Sequence, residues 1–322
     1  MRVSVAIATY NRAEEVRKTL ATLACVEADG VEDWEVLVID NRCTDHTAAV
    51  VAESMPLFGG RLRLVVEPQQ GLSRARNRAA AEARFEVVAY LDDDVDVDPL
   101  WLKALCAAYE SGDYAAVGGR AHLVYPGQRP RWLGERSEGS LTRVELGPDR
   151  KPAASTQLYG LNLSIRRDWI ERVGGFRADL GRIGQCLLSS EETDLLARIE
   201  VGGGKLLYEP GAVVGHRVPP ERLRRRWFWS RGYWGGLGQA RCLSEGEVTL
   251  YNLARTTWWL MLATGAAAKA LLLRGPRSEE LFFVSRRVAY RLGDWAGLAR
   301  RLGARYTSGV GVAEVGLQPK SV

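Results

Sequence analysis

Cysteine, histidine and long apolar runs are all scarce in this chain. Five cysteines (Cys25, Cys43, Cys106, Cys186, Cys242) lie far apart, and none forms a CxxC pair. An odd count at such spacing argues against a disulfide framework and a thiolate zinc site, and for a reducing compartment. Only three histidines are present. No stretch reaches about 18 uninterrupted apolar residues, so no membrane-spanning helix is expected. The opening MRVSVAIATYNR has a short apolar run with no small-residue cleavage site after it. It reads as a buried strand rather than a signal peptide. Two glycine patterns are missing too. No GxGxxG follows the first strand, which removes the fingerprint of a dehydrogenase. ATYNRAEE also lacks the Gly-rich phosphate loop that a nucleotidyltransferase would need.

What is present is ordinary core material. Of 322 residues, 46% are hydrophobic and 26% charged, which excludes wholesale disorder. The length suits two domains, or one large α/β domain with an appendage. The net charge of +5 is unevenly placed. Residues 1–215 hold 26 Lys+Arg against 32 Asp+Glu, whereas residues 216–322 hold 18 against 7. The basic character therefore belongs to the last third and to whatever that third touches.

The first 120 residues alternate between two periods. Apolar runs at Val3–Thr9, Trp34–Ile39, Leu62–Val66 and Val87–Leu91 predict strands covered on both faces. Helical spacing predicts helices over 13–24 and 73–84, with another that Thr44 or Asp45 could cap and one opened by Pro99. This βαβα order argues for a mostly parallel sheet with helices on both faces. Residues 120–155 are rich in Pro, Gly and Arg and read as a long excursion. Regular signals return at 159–177 and 190–201. A short strand is expected over 205–209, ended by Pro210 and Gly211. Residues 248–273 and 279–303 look helical, and the last twenty or so look poorly structured. A boundary falls near 217–222.

Open parallel sheets bind ligands beyond the carboxyl ends of their strands. There the sequence delivers Thr9, Tyr10, Asn11 and Arg12, then Asp40 and Asn41, then Asp92, Asp93 and Asp94. Adjacent carboxylates repel unless a cation or a donor network offsets them. Oxygen ligands without nearby cysteine point to a hard ion, Mg²⁺ or Mn²⁺. A solvated acidic turn is the plain alternative, but the cluster's place directly after an apolar strand favours a site.

SVAIATYNR, EVLVIDN, GLSRARNRAAAEA and VVAYLDDD stand in the order used by family 2 glycosyltransferases of the GT-A fold. YGLNLSIRRDWIERVGGF, SSEETDLLARI, GGKLLYEPGAVVGH and VPPERL are similar to the same family. The resemblance covers roughly residues 2–220. It implies a GT-A fold, a Rossmann-like mixed, mostly parallel sheet flanked by helices, over residues 1–220. The nucleotide-sugar half would be about 1–120 and the acceptor half about 121–220. A basic, aromatic helical extension would occupy 221–322.

The resemblance also implies roles. Thr9, Tyr10, Asn11, Arg12 and Asp40 would hold the nucleotide, and Arg76 would line the cleft. Asp92 and Asp93 join that set, while Asp94 would bind a divalent Mn²⁺ or Mg²⁺, with His216 as a metal or phosphate contact. Glu191-Glu192 stand at the family's Glu-Asp motif, with Glu192 the expected general base and Glu191 the other candidate. Gly160, Asn162 and Asp194 fall on the acceptor side. The chain departs from the pattern twice, with Glu for the commoner Asp and Ser190 where Gly is common. The implied reaction is inverting transfer from a nucleotide-sugar, expected to be UDP-linked, to a hydroxyl on a glycan, a lipid-linked sugar or a secondary metabolite. The alternative is a non-catalytic nucleotide-sugar-binding subunit of a membrane-associated assembly.

The tail combines Arg222, Arg224, Arg225 and Arg226 with Trp227, Phe228, Trp229, Tyr233 and Trp234. Three readings are open. The helices could pack on the catalytic domain, or residues 222–273 could meet an anionic membrane surface. Nucleic-acid binding has no recognisable motif behind it and is not expected. A cytoplasmic location follows, with peripheral attachment to the inner face of the cell membrane under the second reading. An oligomer is compatible with all three.

Overall fold

The computed structural model describes residues 1–184, 186–274 and 279–310, the side chains of 305–310 excepted. The chain forms two compact units, Met1–Arg224 and the residues from Arg225 onward.

The first unit begins with β1 (Arg2–Thr9), α1 (Ala13–Leu23), β2 (Asp33–Asp40), α2 (Thr47–Ser54), β3 (Leu62–Val66), α3 (Leu72–Glu82) and β4 (Val87–Asp92). These three crossovers make a parallel half-sheet ordered β3-β2-β1-β4. Side chains of each strand alternate between two cores. Val3, Val5, Ile7, Val36 and Val38 pack under α1 and α2, with Val16, Leu20 and Val50. Ala6, Leu37, Ile39, Val88 and Tyr90 face α3, with Ala75 and Ala79. Double coverage is why these strands read as unbroken apolar runs. α2 starts later than Asp45 suggested, and Asp45 instead accepts from the Thr47 amide at 3.1 Å.

The rest of the unit runs β5 (Val95–Val97), α4 (Trp101–Glu110), β6 (Ala116–Val124), α5 (Glu135–Glu138), β7 (Lys151–Pro152), β8 (Asn162–Arg166), α6 (Arg167–Arg172), α7 (Glu191–Val201) and β9 (Leu206–Arg217). It extends the sheet as β4-β8-β6-β9-β5, with β7 beside β9. β8 is antiparallel to β4 and β6, and β9 is parallel to β6 and antiparallel to β5.

Two expectations are corrected here. β9 does not end at Pro210-Gly211 but runs on to Arg217. The strand absorbs the extra residues at an irregularity opposite Gly119 and Arg120. Asn162 fills that gap. Its Nδ2 donates to the carbonyls of Arg120 (3.0 Å) and Ala212 (2.8 Å). A Cβ on Gly119 would sit 2.1 Å from the Ala212 oxygen, so only glycine fits. The excursion from residue 120 is likewise part strand, because β6 continues to Val124.

The second unit holds α8 (Arg225–Cys242), α9 (Leu250–Arg274) and α10 (Glu279–Val310). α10 outruns the helix expected to stop at 303. The rest of the tail expected to be poorly structured, 311–322, lies outside the described residues. α10 packs on α8 and α9. Part of the aromatic cluster is spent on that packing. Phe228 meets Phe282 edge-on at 5.4 Å, and Trp229 Nε1 donates to Ser285 Oγ at 3.0 Å. α9 also departs from expectation. By length and composition it could cross a membrane, although Thr, Gly and Lys269 interrupt its apolar run.

The α8–α10 contact depends on glycine. A Cβ on Gly236 would lie 1.9 Å from the Tyr290 carbonyl oxygen, and one on Gly293 would lie 1.9 Å from that of Tyr233. Gly236→Ala should therefore cost about 1–3 kcal/mol by forcing the backbones apart. Urea denaturation monitored by helix circular dichroism reads this directly.

Candidate active site

The site forms where β1, β2 and β4 end and where β9 crosses back to β5. β5 pairs antiparallel with β9, setting Val95 opposite His216. The Arg217 amide then donates to the Asp94 carbonyl at 2.9 Å. This register brings His216 beside the acidic turn 92–94. Arg217 clamps the turn from below. Its guanidinium donates to Glu15 Oε2 (2.9 Å), the Val95 carbonyl (2.8 Å) and Thr19 Oγ1 (2.8 Å), and it pairs with Asp96.

The three aspartates sit in different surroundings. Asp92 has a side chain 39% exposed, whereas those of Asp93 and Asp94 are 6% and 2% exposed. Asp93 accepts from Thr9 Oγ1 at 2.8 Å and pairs with Arg12. Burial pushes its carboxyl up to about 7, against the pull of Arg12. Asp94 faces Arg12 Nη1 (3.0 Å), Arg222 Nη2 (3.5 Å) and His216 Nε2 (3.6 Å). Burial works to raise the Asp94 carboxyl, but the groups around it hold it well below the usual carboxylate range.

His216 has a defined tautomer. Its Nδ1 lies 2.7 Å from the Leu141 carbonyl, which can only accept, so Nδ1 carries the proton. Arg222 Nη1, which can only donate, lies 3.2 Å from Nε2. In this tautomer Nε2 offers a lone pair, and His216, Arg12 and Arg222 together surround Asp94. A backbone carbonyl fixing the far nitrogen is the arrangement typical of metal-ligating histidine. Among the described residues no group of three or more His, Cys, Asp or Glu is arranged to hold a metal. The protein supplies a pair, Asp94 and His216, and that donor set fits a divalent ion completed by phosphate oxygens and water.

The carboxylates of α7 join the same edge through Arg76. Its guanidinium is buried and pairs with Glu191 (2.9 Å) and Asp92 (3.4 Å). Gly160 makes room for it, since a Cβ there would fall 2.1 Å from Arg76 Nη2. Burial, then the neighbouring Glu192, pushes the Glu191 carboxyl up to about 7, while Arg76 pulls the other way. Glu192 is half-buried, and among the described residues its Oε2 is buried without a hydrogen-bond partner. Arg182 lies close enough for its charge to act on both Glu191 and Arg222.

Several expected residues turn inward. Asn162 spends its amide on the β6–β9 irregularity, and its oxygen accepts from Trp101 Nε1 at 2.9 Å. Asp194 pairs with Arg198 (2.7 Å) and Arg177 (3.3 Å). Both have structural partners rather than a free face toward an acceptor. Asp40 accepts from the Cys43 amide at 2.6 Å and shapes the turn after β2. Tyr10 and Asn11 remain exposed, with the Asn11 side chain accepting from the Thr44 amide at 2.6 Å. Arg222, read with the basic tail as a membrane contact, instead points inward to Asp94 and is mostly buried, whereas Arg217, Arg182 and Thr19 carried no signal that separates them from other polar residues. A groove of about 510 Å³ lined by Glu86, Asp113, Arg166 and Trp169 lies at the other end of β4 and takes no part.

The model for "Glycosyl transferase family 2" matches residues 4–174, more than half of the chain. The chain belongs to glycosyl transferase family 2. It is a glycosyltransferase that uses a nucleotide-sugar donor. The glycosyltransferase is 27% identical over 319 residues to succinoglycan biosynthesis protein ExoM of Rhizobium meliloti, covering 98% of this chain and 97% of the relative. It is 27% identical over 241 residues to the glucosyl-dolichyl phosphate glucuronosyltransferase of Haloferax volcanii, covering 73% and 75%. Its fold resembles that of a Pyrobaculum calidifontis mannosyltransferase solved with GDP-Man and Mn²⁺. The TM-score is 0.53 at 20% identity, covering 97% of this chain and 80% of that one. S. aureus TarS with UDP-GlcNAc gives 0.54 at 14% identity, covering 96% and 92%.

Two outcomes test this geometry. Ser190, just before α7, has φ 92°, a region that favours glycine. Ser190→Gly should stabilise the protein by about 1 kcal/mol, read as a higher midpoint in denaturant. Glu191 binds its proton more tightly folded than unfolded, where the ordinary value is 4.5. Its contribution is therefore complete at acid pH and is lost as pH rises from about 4.5 through about 7. Glu191→Gln should flatten that part of the stability–pH curve.

Proposed function

We propose that the enzyme inverts the anomeric centre in a single displacement, with Glu192 as general base. The observation that carries this is the Glu191–Arg76–Asp92 bridge. One buried guanidinium ties the first turn of α7 to the acidic turn, and Glu192 stands next to it with a partnerless oxygen. Glu192 would take the proton from an acceptor hydroxyl as that oxygen bonds to the anomeric carbon. The bond to the donor phosphate breaks with its electron pair, and the nucleoside diphosphate leaves. Arg222 and Arg12 are placed to offset the charge that develops on it. Asp94 and His216 would hold a divalent ion, which when bound supplies Lewis-acid compensation of the same charge.

Tyr10, Asn11, Arg12 and Asp40 would bound the nucleotide, with Asp92 the acidic-turn carboxylate open to the donor. Thr9 and Asp93 would serve by holding Arg12 in place. The acceptor is a hydroxyl of a glycan, a lipid-linked sugar or a secondary metabolite. Relatives named for succinoglycan biosynthesis and for a glucosyl-dolichyl phosphate substrate support the first two classes.

UDP-sugars stand first as donors, with GDP-mannose the main competitor, because neighbouring folds were solved with both kinds. A thermal-shift screen with and without Mn²⁺ should show a metal-dependent rise with one donor. Glu192→Gln should then lower transfer by about 10²–10⁴ while leaving donor affinity intact by calorimetry. Normal transfer by that variant would show that another group is the base. Arg222→Gln should weaken nucleoside diphosphate binding about tenfold through loss of a charge-assisted contact.

A further inference from the structure

We propose that α9 lies flat on an anionic membrane surface, with one apolar face in the acyl region. α9 has 25 residues and spans about 37 Å. Only 11% of its most apolar stretch is buried, so it is not a core helix. With about 3.6 residues per turn, Thr256 and Ala270, its two buried positions, share one side. The opposite side carries Trp258, Met261, Leu262, Leu272 and Leu273, whose exposures run from 46% to 83%. An uncovered face of this kind marks an interaction site rather than ordinary surface.

Charge selects the occupant. α9 contains no Asp or Glu, and Arg255 and Lys269 fall on the same side as the exposed apolar residues. Long cationic side chains there can reach lipid phosphates while their stems lie along apolar surface. The basic last third, with 18 Lys+Arg against 7 Asp+Glu, adds attraction to anionic headgroups. Packing selects the orientation. α10 lies along α9, where Trp295 Nε1 donates to Thr257 Oγ1 at 3.0 Å and Arg291 stands 5.6 Å over the Trp259 ring. α10 also carries Arg286, Arg287, Arg291 and Asp294. A spanning α9 would drag those charges into hydrocarbon, at a cost of several kcal/mol. An in-plane α9 keeps them on the water side.

The test is flotation of the full-length protein with phosphatidylcholine vesicles, with and without phosphatidylglycerol, at low and high salt. The protein should float with the anionic vesicles and do so less as salt rises. Leu262→Gln/Leu272→Gln should reduce partitioning by about tenfold or more. Arg255→Gln/Lys269→Gln should measurably lessen the salt dependence. These positions are exposed, and unchanged thermal melts would confirm folding. Failure to float with anionic vesicles would overturn the proposal, as would a leucine double variant that floats like the wild type. A wild-type dimer in sedimentation velocity that becomes monomeric in the leucine variant, without flotation, would assign the face to a second copy of the chain instead. The inference stands apart from the proposed reaction, since donor binding can survive a failed flotation.

Discussion

Three consecutive carboxylates at the end of β4 are the constraint that the site is built around. Left alone they would repel one another and stay in water. The fold instead buries two of them and supplies the cations to do so from distant parts of the chain. Arg12 comes from the turn after β1 and Arg222 from beyond β9, and His216, near the end of β9, adds its imidazole beside them. Arg217 holds the backbone of the turn against α1. His216 and Arg217 reach the turn through the pairing of β9 with β5, whereas Arg12 comes from the parallel half. The candidate site therefore draws on both halves of the sheet.

That arrangement divides the polar residues into two groups. Thr9 and Asp93 bond each other, Asn162 bonds the backbone, and Asp194 pairs with Arg198 and Arg177. Asp92, Tyr10 and Asn11 face outward, and Glu192 keeps an oxygen with no partner. Backbone strain gathers at the same edge. Asn11, Arg42 and Ser190 all have positive φ, each at a strand end or helix start that the surrounding hydrogen bonds over-determine. Arg76 shows how economical the coupling is, since one buried side chain aligns the acidic turn with the carboxylates of α7.

Local chemistry makes much of this legible in the sequence. The apolar runs of β1 to β4 are readable because both faces of those strands are covered, and YLDDD is readable because a buried strand meets a polar cluster abruptly. The SSEETD segment is readable as a charged first turn of a helix. Signals failed where pairing was non-local. β9 runs through Pro210-Gly211, which locally read as a stop, because Asn162 from β8 and the absence of a side chain at Gly119 accommodate the irregularity. α9 escaped a criterion of unbroken apolar runs because its few polar residues are spread along it.

The sequence by itself determined the family, the parallel half of the sheet and which carboxylates stand at the candidate site, since each rests on local motifs. Only the tertiary structure decided which carboxylates are buried and which are open. It also decided that His216 presents Nε2 rather than Nδ1, and that Arg222 reaches the acidic turn. Those outcomes depend on desolvation and on cations more than eighty residues away in the chain. No local pattern encodes them.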